Sequence, residues 1–486
     1  MTREFPLRGA SRREFVQAVM TASAVLGLGP TRAFEVLEEM GGSALAQAAQ
    51  VPRRSVNIVA GTGGFAWFHF LWPAPQVISK FRSEFSYDST SRATMITSAD
   101  SQYLEGRPLY VRNMNGKKLW DKYGERKLVS AFVAGSPNAH QVAPTVAGNT
   151  NTIPNGVGGA VGLFAASAAI QGTLKALVPA IGIRNTDGTA MPYGTAAGAP
   201  VAASVANADS MVGLFSSAAA RLTQRLKNPQ NQQVFDLYYK AFLGLTRTAD
   251  KATYQRAYSD AKLAVELLSK NLGDQLRPKA GQVNMWCGGS APTNEKIDAM
   301  AQALIVTANA FKLGLTAQVS FPVFNDDPHP AFANLTTSLK IVDQMHSMLE
   351  YFMDELATTN DPAFVNRKLS DAVVLTVHGD TGKRPFQASN WPDDPPANWI
   401  YVMSQGRVKP GWYGDMVAPA AGPGVGTRTN WDPQTGQLNA NISNAVVLEG
   451  ALAAILYAVA NGDDRRVRDF YTANAYTGTQ NPLLSG

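Results

Sequence analysis

The first apolar run that stands clear of its surroundings is Arg54-Ser-Val-Asn-Ile-Val-Ala60. Its β-branched residues and the closing turn Gly61-Thr-Gly-Gly64 predict a buried strand. Residues 127–133 have the same character and close on Gly135-Ser136-Pro137-Asn138. Between 145 and 210 the pattern lapses into Gly, Ala, Thr and Asn with little period, which reads as long surface loops around one helix near 163–177. Over 211–276 apolar positions recur at three- and four-residue spacing, a helical period. An α/β rhythm follows: a helix over 297–312, a strand over 315–321, and a long helix over 336–357. Strands over 371–378 and 399–404 and a last helix over 446–461 complete it. Strands alternating with helices predict an α/β fold, a mostly parallel sheet with helices on both faces. The Gly/Ala/Asn-rich and helical region 145–290 is inserted in the middle.

Open parallel sheets bind ligands beyond the carboxyl ends of their strands, so the residues after each strand carry the candidate chemistry. The first strand is followed by Gly63-Gly64-Phe65-Ala66-Trp67-Phe68-His69, and the second by Ser136-Pro137-Asn138-Ala139-His140. The third is followed by Asn325-Asp326-Asp327-Pro328-His329, and the fourth ends in His378-Gly379-Asp380-Thr381-Gly382-Lys383. The chain holds 5 histidines, and all but His346 lie at these strand ends. Imidazoles beside carboxylates at a shared rim suit a divalent cation or acid–base chemistry. Asp327 and His329 sit two apart, so both can face one ion. Gly61-Thr-Gly-Gly64 lacks the spacing of a phosphate loop or a dinucleotide fingerprint and reads as a tight turn.

Composition narrows the classes. With 45% hydrophobic and 16% charged residues over 486 positions, the chain has ample material for a packed core. The net charge of +6 is diffuse, without a Lys/Arg run that would suit nucleic acid. The single cysteine, Cys287, excludes an internal disulfide and a cysteine-based metal centre, and reads as a packed thiol. No apolar run approaches the ~20 residues of a membrane span.

The amino terminus reads as an address. Ser11-Arg12-Arg13-Glu14-Phe15-Val16 matches the twin-arginine export pattern, and a moderately apolar stretch follows to Leu28. Ala44-Leu45-Ala46 supplies a small-x-small cleavage site, so residues 1–46 are expected to be a signal peptide and 47–486 a single α/β domain. That route exports folded proteins to the periplasm or beyond, and makes the translocase a transient partner.

With these segments in view, the chain resembles the twin-arginine-exported bacterial family of unknown function within the alkaline phosphatase–sulfatase superfamily. Gly63-Gly64 and Pro73 keep the frame of that family's first motif, Gly-Gly-Ala-Asp-Gly-Leu-Asn, while its Asp falls on Ala66 and its Asn on His69. Its Arg-Ser-His-Phe falls on Asn138-Ala139-His140-Gln141, which keeps the histidine and lacks the hydroxyl. Its Gly-Gly-x-Asp-Thr-His keeps Asp327 and His329. Its Ser-Glu-Phe-Gly-Arg-Thr-Pro falls on Gly379–Pro385, with Asp380 for Glu and Lys383 for Arg. Its Asp-His falls on Asn398-Trp399.

The resemblance implies an alkaline-phosphatase-like fold and a metal-dependent phosphate- or sulfate-ester hydrolase. The expected site is rearranged. One divalent metal would be held by Asp327, His329 and Asp380 with His378, His140 or His69; Lys383 would steady the anion, and Thr381 or Ser136 would be the nucleophile. The missing ligands keep a second reading open, a catalytically degenerate binding or scaffold protein of the periplasm or surface. Its ligand would be a small molecule or glycan stacked on an aromatic rim of Phe65, Trp67, Phe68, Phe70, Trp72, Trp391, Trp399 and Trp412. A third, an exported redox protein with a bound cofactor, finds no cofactor motif.

Export makes the first prediction. Replacing Arg12 and Arg13 by Lys should hold precursor in the cytoplasm, because an ammonium does not copy the planar guanidinium fork. Cell fractionation checks this, and mature protein still reaching the periplasm would refute it.

Overall fold

A computed structural model describes residues 52–60, 122–123, 129–134, 176–183, 202–216, 272–322, 335–379, 398–409, 411–416 and 428–463. The signal segment, most of 61–175 and all of 217–271 therefore lie outside the described residues.

Within the described residues an eight-stranded sheet organises the chain. Its strands are β1 (Arg54–Ala60), β2 (Val129–Ala134), β3 (Ala180–Ile183), β4 (Ala203–Val205), β5 (Gln318–Pro322), β8 (Val373–Gly379), β9 (Asn398–Ser404) and β10 (Gly411–Tyr413). Two small hairpins add β6 (Asn360–Asp361) with β7 (Phe364–Lys368), and β11 (Asp415–Met416) with β12 (Arg428–Thr429). Across the sheet the order is β10-β2-β9-β8-β1-β5-β3-β4. Among the described strands of this eight-stranded sheet, all but β9 run the same way, since there β9 alone pairs antiparallel, with β8 on one side and β2 on the other. The fold is α/β with a mostly parallel sheet, as the strand–helix alternation predicts.

Five helices have their bounds described: α1 (Leu272–Leu276), α2 (Gln282–Trp286), α3 (Glu295–Lys312), α4 (Leu335–Thr358) and α5 (Asn444–Val459). The sequence starts α3 with an N-cap, Asn294, whose side-chain oxygen accepts from Lys296 N and Ile297 N at 3.1 and 3.0 Å. Glu295 and Asp298 in the first turn and Lys312 in the last complement the helix dipole. Gly314, at φ 68°, ends the helix in the left-handed conformation that turns the chain into β5. Helix α4 packs on α3, and Gln344 of α4 clamps the turn before α3 by accepting from Thr293 N at 2.9 Å and donating to Ala291 O at 2.8 Å. Helix α5 packs against β2, β8 and β9. Its Gly450 leaves room for a close neighbour, since a Cβ there would meet Pro433 at 2.5 Å.

Both faces of the central strands are buried. On β1, Val56 and Ile58 face one way and Ser55, Asn57 and Val59 the other, and none is exposed to solvent. That double burial is the signature of a parallel sheet covered on both sides. The side of Arg54, Val56 and Ile58 meets α3, because the Arg54 guanidinium lies over the Phe311 ring at 5.9 Å.

At the amino edge of the sheet the chain buries charge. Arg54 Nη1 donates to Asp361 Oδ1 at 2.7 Å, and Arg367 donates to Oδ2 through Nε at 3.0 Å and Nη2 at 2.6 Å. The Ala363 amide also donates to Oδ1, at 2.9 Å. Burial pushes the Arg54 guanidinium below its ordinary range, and the Asp361 carboxylate acts against that shift.

Several boundaries differ from the pattern-based expectation. The strand expected at 315–321 is β5 at Gln318–Pro322: residues 315–317 bond sideways to 178–179 and to Ser55 before the regular ladder begins. The strand expected at 371–378 starts after a 3-10 turn, Leu369–Ala372. The larger correction concerns 145–210, expected to be surface loops around a helix. Within it, β3 and β4 are strands of the main sheet, and Ala180, Ile181 and Ile183 are buried. Helix also begins earlier than expected, over 208–216. Strands of three or four residues are too short to register a period, which is why the pattern passed over them.

The Asp361 cluster is open to direct test. Asp361→Ala leaves the buried Arg54 without its carboxylate beside the half-buried Arg367 and should destabilise the protein by about 3–5 kcal/mol in chemical denaturation. A loss below about 1 kcal/mol, the range of an exposed pair, would show that the cluster is solvated.

Candidate functional site

The register of the sheet determines which chain segments leave it together. Val59 is level with Pro322 on one side and His378 on the other, and Ala60 is level with Gly379. The exits of β5, β1 and β8 therefore stand side by side at one edge, with neighbouring strands ~4.8 Å apart. Strand β2 leaves at the same edge, two strands beyond β8, where Phe132 is level with Ile400 and Ile400 with His378. Because β9 runs the other way, it begins at that edge, so the connection from Gly379 to Asn398 departs from it and returns to it.

These are the four strand ends that the histidine-bearing segments follow. Asp380 is joined directly to the last residue of β8, Asp327 and His329 follow β5, Ser136 and His140 follow β2, and His69 follows β1. Asp380, Asp327, His329, His140, His69, Ser136, Thr381 and Lys383 all lie outside the described residues. So do Phe65, Trp67, Phe68, Phe70, Trp72 and Trp391 of the expected aromatic rim, whereas Trp399 and Trp412 fall on β9 and β10. Among the described residues, no three His, Cys, Asp or Glu side chains form a group that could hold a metal ion.

His378 is the one expected site residue that the structure describes. It is buried, on the same face of the sheet as Asn57, and its Nε2 lies 2.9 Å from Asn57 Oδ1. Asn57 stands at the centre of a polar row. Its Nδ2 donates to Ser320 Oγ at 3.1 Å, and its Oδ1 accepts from Thr376 Oγ1 at 2.9 Å. Register explains the meeting, because Ser320 and Thr376 are the residues level with Asn57 on the two flanking strands. One row nearer the amino edge, Ser55 and Gln318 are also level and buried, and their side chains find no hydrogen-bond partner among the described residues.

This polar row is absent from the expectation, although the sequence holds its trace. Ser-Val-Asn-Ile, Gln-Val-Ser-Phe and Leu-Thr-Val-His place polar and apolar residues alternately in three strands. Alternation ordinarily marks a face open to water. Here the polar face is buried, and hydrogen bonds between strands satisfy part of it. For His378 the consequence is that Nε2 is engaged inside the sheet, so a metal ion would have to be met through Nδ1. His346, expected mid-helix, lies within α4 and is buried there.

Cys287 behaves as the packed thiol expected of it. It is 1% exposed at the end of α2, and burial, seconded by the nearby Asp298 charge, pushes its pKa up to about 11. A nucleophilic cysteine needs the opposite shift. Since the raised value belongs to the folded state, the thiol favours folding fully below pH ~9, and that contribution fades as pH rises from ~9 through ~11. We predict that a thiol reagent at neutral pH leaves Cys287 unlabelled in the folded protein and labels it at once in denaturant; rapid labelling of native protein would overturn this reading.

The sequence matches no protein-family model, and searches of curated proteins and of solved structures each find no significant match.

Proposed function

We infer that the protein is an exported, alkaline-phosphatase-like hydrolase of phosphate or sulfate esters with a rearranged site at the carboxyl edge of the sheet. The observation that carries this reading is the common exit of β1, β2, β5 and β8 at one edge, each followed in sequence by a segment bearing histidine or carboxylate. Carboxylates with imidazoles are a donor set suited to one divalent cation, and Asp327, His329 and Asp380 with His140 or His69 are the residues that would hold it. His378 fits that set only through Nδ1. When bound, such an ion supplies Lewis-acid polarisation of the ester oxygen.

The chain's own groups do the rest in this reading. Lys383 would steady the anion as a point charge, and Thr381 or Ser136 would offer the attacking hydroxyl. The twin-arginine signal fits a protein that folds before export.

The test is made on the full chain after export. Metal analysis of the purified protein should find about one divalent cation per chain. A chelator should lower the melting temperature of wild type and leave that of His329→Ala unchanged, since an ion bound only to the folded state stabilises it by mass action. Hydrolysis of a generic phosphate or sulfate ester should fall by at least about 100-fold in Asp327→Ala, a positioned group's worth of the barrier. No copurifying metal, no chelator effect and no hydrolysis would replace the hydrolase by a degenerate scaffold or glycan-binding protein.

A further inference from the structure

Within the site proposed above, and resting on that reading for its purpose, we propose that Asn57 is a positioning residue that holds His378 in the tautomer protonated on Nε2, so that Nδ1 is the ring's acceptor nitrogen. The argument begins with the amide. Asn57 Nδ2 donates to Ser320 Oγ at 3.1 Å, so the other head atom, Oδ1, is a carbonyl oxygen with no proton to give. Two groups meet that oxygen, Thr376 Oγ1 and His378 Nε2, each at 2.9 Å. A contact between a carbonyl oxygen and a ring nitrogen is a hydrogen bond only when the nitrogen carries the proton. A neutral imidazole has one N–H, which leaves its lone pair on Nδ1.

The rest of the row makes this arrangement rigid. Asn57, Ser320 and Thr376 sit level on three parallel strands whose ladders are continuous, and all three are buried. The Thr376 hydroxyl also lies 3.4 Å from Val56 O, within the same ladder. With the amide turned over, an N–H would face the ring and Nε2 would have to be the accepting nitrogen, so the ring proton reports the orientation of the amide as well. His378 is the last residue but one of β8, next to the exit toward Asp380. A fixed tautomer there presents one defined lone pair to a metal ion or a proton donor, the usual task of a group standing behind a ligating histidine.

Nuclear magnetic resonance of the full chain, labelled with nitrogen-15 in its histidine rings, tests this without metal or ester. The spectra are taken about two pH units above the ordinary histidine value of ~6.5, where a ring of that value is neutral. The His378 ring proton should appear on Nε2, slow to exchange because it is buried and hydrogen-bonded, and should vanish from His378→Gln. In Asn57→Leu that signal should be lost or displaced, and Asn57→Asp, which still offers an oxygen, should restore it. A proton on Nδ1 of wild type overturns the proposal, and so does an unchanged signal in Asn57→Leu. The wild-type spectrum alone suffices if a variant does not fold. Should the Nε2 proton be found but neither metal nor hydrolysis, the hydrolase reading falls and the role of Asn57 stands. Should hydrolysis be found with the proton on Nδ1, only the role of Asn57 falls.

Discussion

A single buried carboxylate, Asp361, holds the start of the central strand in place. Arg54 begins β1, and its guanidinium reaches Asp361 just past the end of α4, while Arg367 of β7 closes on the same carboxylate. Arg367 also donates to Pro52 O at 3.4 Å, so the residues entering β1 are tied to the β6–β7 hairpin by side chain and backbone alike. Arg53 extends the tie by donating to Gln405 O at 2.5 Å, beyond the end of β9. Desolvated ions are expensive, and such a cluster is tolerated only when each charge is matched and hydrogen-bonded. Its effect is positional. Strand β1 enters the sheet at one height, and every register contact along it follows from that height.

The two ends of β1 thus do different work. At its amino end, two guanidinium groups, Arg54 and Arg367, share the one carboxylate of Asp361. At its carboxyl end, neutral polar groups form the Asn57 row and the chain opens into the segments that carry the acidic and imidazole groups. Between them, Val56 and Ile58 pack on the side of α3. A middle buried on both faces, with ionic bracing at one end, holds the polar row of Asn57, Ser320, Thr376 and His378 in place at the other, because groups on strands are held more closely than groups on loops.

How much of this was legible in the sequence depended on length and on period. Strand β1 was read to the residue, because Arg54–Ala60 is a long β-branched run closed by glycines. Helices α3 and α4 were read to within two residues at each end, since their apolar stripes run for several turns. Strands β3 and β4 were missed, being too short and too rich in Ala and Gly to show alternation. The polar row was missed because burial of a polar face depends on what covers it, a tertiary property. Asp361 was missed for the same reason: nothing in Asn-Asp-Pro says that two arginines from distant segments will meet it. Of the expected site, the convergence of strand ends was legible from the order of the elements, whereas which nitrogen of His378 faces inward was not.

Strand β9, antiparallel to both its neighbours in the eight-stranded sheet, has a consequence for how this protein can change. Because β9 starts beside the end of β8, the eighteen-odd residues between them are clamped at both ends by one ladder, with Val377 level with Tyr401 and His378 with Ile400. Closing a chain between two neighbouring anchors depends only logarithmically on its length, about 0.6 kcal/mol for each doubling. No helix must be threaded over the sheet to complete this connection, unlike the crossovers that carry α3 and α4. The segment holding Asp380, Thr381, Lys383 and Trp391 can therefore lengthen, shorten or be exchanged while the two strands that anchor it stay as they are. Length and composition can drift in such a connection faster than in the strands that anchor it.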